Sequence, residues 1–136
     1  MYILKKWKSV NFLFFSFICN VKSTKHYHWF KIAANLESLT EQGRDGIFEI
    51  PVGGREICIA IYSGNPYAFS AKCPHASAPM NQGIIDAKGN VVCPSHHFKF
   101  SLATGKNNSG EGYHLKTFPI EQKEEGVFLG IEAIRW

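Results

Sequence analysis

The chain has 136 residues, 45% of them hydrophobic, enough for one domain with a real core and too few for two. Its formal net charge is +4, but residues 1–25 carry five lysines and no acid, which leaves ten Lys and Arg against eleven Asp and Glu in the rest. The remaining chain is therefore not basic, and a nucleic-acid-binding protein loses its electrostatic basis.

Lys5, Lys6 and Lys8 precede an apolar run from Val10 to Cys19, the outline of a signal peptide. No small-residue cleavage site or twin-Arg pair is present, and the run is too short to cross a bilayer as a helix. Three readings stay open for residues 1–25: an extension without fixed structure, a start upstream of the natural one, or an export or membrane signal. The expectation is a cytoplasmic protein with its domain in residues 26–136 and no membrane attachment. Cys19 has no partner pattern and receives no role. The four cysteines, at 19, 58, 73 and 93, do not look like a disulfide scaffold. Two of them have histidines at ligand spacing, which favours metal over a cross-link and a reducing compartment over an oxidising one.

Trp29 to Ala33 alternates like a first strand, and Asn35 to Leu39 suits one helical turn. Gly43 to Gly46 is a turn cluster, Ile47 to Ile50 a strand, and Val52-Gly53-Gly54-Arg55 a hairpin turn. In the next strand, Ile57, Ile59 and Ile61 face one way and Cys58, Ala60 and Tyr62 the other. Both faces are apolar, so this strand is predicted to be central, with Cys58 a packed core thiol. Ser63 to Pro66 turns the chain into Tyr67 to Ser70, the third strand of a meander. Lys72 to Leu102 is rich in Pro, His and Gly, and a polar tip follows at Thr104 to Gly110. Two strands, about His114 to Ile120 and Val127 to Ile131, close the chain. The predicted class is all-β, an antiparallel framework with a small subdomain at about 72–102 inserted between strands.

That insertion holds Cys73-Pro74-His75 and Cys93-Pro94-Ser95-His96, two loops that each offer one thiolate and one imidazole, separated by 17 residues. Such a donor set suits either a tetrahedral zinc or a two-iron cluster in which one iron takes both sulfurs and the other both nitrogens. His26, His28 and His114 have no ligand partner at suitable spacing and read as exposed or packing residues.

Here the chain closely resembles the Rieske ferredoxin family. The matching stretch runs from Cys73 to Met80, takes in Gly83, and resumes from Val91 to Gly105; with the framework strands it covers about residues 28–134. The resemblance implies one 2Fe–2S cluster, with Cys73 and Cys93 on one iron and His75 and His96 on the other. It also implies a low-potential member. Ala78 and Ser95 stand where the high-potential proteins of cytochrome bc complexes carry a disulfide, and Phe98 and Phe100 where they place hydroxyl donors. His97 departs from the family pattern, which often has Gly there; it is read as a surface or outer imidazole, with a proton-coupled neighbour or a competing ligand as the sharper alternatives.

Two ferric ions, two sulfides and two thiolates sum to zero charge, so reduction leaves one negative charge, which suits electron transfer. No dinucleotide fingerprint is present, and no mononuclear iron triad of two His and a carboxylate is visible. The reading is thus a soluble electron carrier rather than an enzyme, between a flavin- or NADH-dependent reductase and a terminal oxygenase or similar acceptor. The alternatives are the small Rieske subunit of a nitrite reductase and a zinc-stabilised binding module without redox role.

Overall fold

A computed structural model describes residues 25–133 apart from Ser109 and Glu111. The expectations for residues 1–24, including the extension and Cys19, lie outside the described residues. The first elements are β1 (Tyr27–Ala33) and a short helix, α1 (Leu36–Gln42). Asn35 caps α1, its side-chain oxygen accepting from the Ser38 N–H at 2.8 Å, so the predicted single turn extends to seven residues. The meander follows as β2 (Phe48–Val52), β3 (Arg55–Tyr62) and β4 (Asn65–Ser70), antiparallel and in that order. Both of its turns have two central residues at positive φ, Gly53 and Gly54 in one and Ser63 and Gly64 in the other, the geometry that matches strand twist in two-residue hairpins. Pro51, which has no N–H to donate, lies on the edge strand β2.

β3 divides the interior. Ile57 and Ile59 belong to one core with Leu39, Phe118, Val127 and Leu129, while Cys58 and Ala60 belong to another with Phe69, Phe100 and Leu115. The predicted two-sided burial of this strand is therefore met. Burial, and Glu49 across the strand pair, push the Cys58 thiol up to about 12, so it remains a neutral packing group.

Between β4 and β8 (Thr117–Phe118) lies the insertion, and these two flanking strands pair with each other, Ala68 with Phe118 and Phe69 with Thr117. The insertion has a sheet of its own: β5 (Ile84–Ile85), β6 (Asn90–Val92) and β7 (Lys99–Ser101), antiparallel, after a 3₁₀ turn at Met80–Gln82. These strands are two or three residues long, too short for a periodic signal in the sequence. The predicted strand from His114 to Ile120 is divided instead. β8 pairs with β4, whereas β9 (Ile120–Lys123) pairs with β10 (Gly126–Glu132) in the β1–β10–β9 sheet. Pro119 stands at the division, where its missing N–H ends one ladder before the next begins. At Gly105, where φ is +79°, an added Cβ would overlap the Leu115 carbonyl oxygen, and this close approach holds together the two ends of the segment that leads to β8.

Candidate metal centre

Both cysteine loops adopt one backbone turn. The Cys73 N–H donates to the Ala78 carbonyl at 2.9 Å, and the Ser77 N–H donates to the Cys73 carbonyl at 2.8 Å. In the second loop the Cys93 N–H donates to Phe98 at 2.8 Å and the His97 N–H to Cys93 at 3.0 Å. Ser77 and His97 occupy equivalent places, with φ of 56° and 59° in the left-handed region. That conformation explains the glycine expected at the His97 position, and it places His97 on the exposed outer side of its loop. The insertion supplies the rigidity: β6 runs directly into Cys93, β7 leaves directly after Phe98, and Lys72 bridges to Pro79 across the first loop.

The four candidate ligands come together as two pairs. Cys73 and Cys93 are buried free thiols at the edge of the core that contains Phe69 and Phe100, and their side chains interact. Burial holds the Cys73 thiol above its ordinary range; backbone N–H bonds from His75 and Ala76 act the other way, and Cys93 beside it raises it. The imidazoles of His75 and His96 meet edge to face, with centroids 4.6 Å apart and planes at 84°. Two thiols offered as one pair and two imidazoles as another suit a two-iron cluster with one iron on each pair.

The surroundings of the two histidines differ. His75 is half-buried under Phe98, at 4.3 Å between centroids, and Tyr113, at 5.3 Å, and those two rings stack at 5.8 Å. Its Nδ1 is buried with no hydrogen-bond partner, a state that costs about 1–3 kcal/mol unless something engages the lone pair. A metal ion is one such partner, so the pocket fits the cluster implied by the sequence. His96 is exposed, with the Ser95 hydroxyl oxygen 3.2 Å from its Nδ1. Sequence reasoning missed Tyr113; its signal is an aromatic residue next to Gly112 in an otherwise polar segment. His28 and His114 are exposed and apart from the pairs, as expected.

A family model described as the Rieske [2Fe-2S] domain matches residues 28–119. The ferredoxin component of the alkene monooxygenase system of Xanthobacter autotrophicus is 26% identical over 91 residues, covering 66% of this chain and 75% of that protein. Among solved structures, one assigned as the NADH-dependent nitrite reductase small subunit from Mycobacterium tuberculosis superposes with a TM-score of 0.66. It is 18% identical, over 80% of this chain and 99% of that one. A chain from the complex of reduced oxygenase and oxidised ferredoxin in carbazole 1,9a-dioxygenase gives 0.58 at 24% identity, over 74% and 99%.

Proposed function

The chain belongs to the Rieske [2Fe-2S] domain family, and from that premise we propose that it is an electron carrier whose cluster is held by Cys73, Cys93, His75 and His96. The observation that carries the ligand assignment is the pairing of two buried thiols and two adjoining imidazoles on equivalent turns, with His75 Nδ1 buried and unpartnered. When bound, the cluster supplies reversible one-electron chemistry. The residues of the chain hold it: the backbone N–H groups of His75 and Ala76 favour the Cys73 thiolate, and the Phe98 and Tyr113 rings keep water from His75. The acceptor is an oxygenase or related redox enzyme, as the monooxygenase system named for the ferredoxin relative suggests, the donor is a reductase, and the compartment is the cytoplasm. The free thiols of Cys58, Cys73 and Cys93 fit a reducing compartment.

Phe98 and Phe100 bring no hydroxyl toward the sulfurs, so the midpoint lies toward the low end of the Rieske range, on the order of −150 mV. The test is to isolate the protein anaerobically, titrate it, and record EPR after dithionite reduction. A red-brown protein with imidazole nitrogen couplings and a midpoint in that region is expected. A colourless protein with one zinc overturns the proposal, and a midpoint above about +100 mV overturns the low-potential assignment. A second reading, the small subunit of a nitrite reductase, is favoured by the superposition on that subunit. Co-purification with a large catalytic subunit decides between them.

A further inference from the structure

Charge is segregated between the insertion and the framework. Residues 72–116 carry five lysines against Asp86 and Glu111, for a net +3. Residues 26–71 and 117–136 together carry five Lys and Arg against nine acids, for a net −4. The framework is acidic and the cluster-bearing part is basic, a division that the net −1 of residues 26–136 conceals.

Part of the positive charge is collected in one cleft, lined by Lys88, Lys99 and Lys106 with Asp86 among them. Asp86 offsets one of these charges through the ion pair of its carboxylate with Lys99, so the cleft keeps a net charge of +2, from Lys88 and Lys106. One oxygen accepts from the N–H groups of Lys88 at 2.9 Å and Asn90 at 3.0 Å; the other accepts from the Asn90 side chain at 3.1 Å and lies 3.9 Å from Lys99 Nζ. The cleft is also close to the candidate centre. Lys99 pairs with Val92, the residue before Cys93, and three residues of β6 at about 3.3 Å each put the far end within about 10 Å of Cys93. That is about one Debye length at physiological ionic strength, so the lysine field reaches a partner approaching the exposed His96 end.

We propose that this lysine cleft receives an acidic surface on the redox partner protein and turns the carrier so that its histidine end leads. The proposal rests on the reading of the chain as an electron carrier. A nucleic acid is the poorer occupant, because a long polyanion passing the cleft meets the acidic framework. A compact acidic patch needs the cleft alone, and electron-transfer contacts are small enough for that.

The test follows oxidation of the reduced, cluster-loaded full chain by ferricyanide, a trianion standing in for the acidic surface, and by the cation tris(phenanthroline)cobalt(III). Ionic strength is raised from about 0.01 to about 0.15 M, which shortens the Debye length from about 30 to about 8 Å. The ferricyanide rate is expected to fall several-fold and the cobalt rate to rise. Lys88→Glu with Lys106→Glu reverses both trends, while Lys31→Glu with Arg55→Glu, an equal charge change on the framework, leaves them in place. Salt-independent rates, or two double variants that behave alike, overturn the proposal while leaving the carrier reading intact. So does a DNA oligonucleotide that binds the wild type at 0.15 M salt and not the Lys88/Lys106 variant. A chain that takes up no cluster overturns both.

Discussion

The loops at Cys73–Ala78 and Cys93–Phe98 share their hydrogen bonds and their single left-handed residue, yet they present their histidines to different surroundings. In the first, His75 lies under two aromatic rings; in the second, His96 faces solvent. Part of the contrast comes from placement, since the histidine is the third residue of one loop and the fourth of the other. The rest comes from residues outside the first loop, Phe98 at the end of the second and Tyr113 beyond the insertion's sheet. A common backbone turn thus carries both cysteines, while neighbouring side chains decide which imidazole meets water.

If the turns are equivalent as thiolate donors, removing either thiol gives the same result, and this is the largest expected effect. Cys73→Ala and Cys93→Ala are each expected to abolish the visible absorbance and bound iron. A variant that keeps a stable cluster would show that the two loops do not contribute alike. A smaller effect isolates the shield over His75. Tyr113→Ala is expected to speed bleaching of the cluster by an iron chelator several-fold, while Tyr113→Phe, which keeps the ring, bleaches at the wild-type rate. Equal rates in all three proteins would remove Tyr113 from the shield.

The smallest effect tests the turn itself. A side chain in the left-handed region costs about 1–2 kcal/mol, and glycine returns part of that through the entropy of the unfolded chain. His97→Gly and Ser77→Gly are therefore each expected to stabilise the protein by about 0.5–1 kcal/mol, read from the denaturant midpoint. Stabilisation at one position only would mean that the loops store unequal strain.

Much of the framework was legible because its signals are local. The apolar faces of Ile57 to Tyr62 announced a strand between two cores, and Gly53-Gly54 announced a tight hairpin. The donor spacing in Cys73-Pro74-His75 and Cys93-Pro94-Ser95-His96 marks the candidate ligands in the sequence, since ligand chemistry is a matter of residue type and short intervals. The three-residue strands β6 and β7 and the switch of sheets at Pro119 gave no comparable pattern. Their pairing depends on long-range contacts, and short segments carry too few residues to show a period.

By itself, then, the sequence determined the candidate donor set, the turn chemistry, the central strand and the sum of charges, all properties of residue type and near neighbours. Only the tertiary structure decided that the two loops are copies of one turn, that Tyr113 covers His75 and leaves His96 open, and that three lysines share one cleft. Those facts depend on chain segments far apart in sequence being folded against one another, and side-chain burial and fields are set by that proximity.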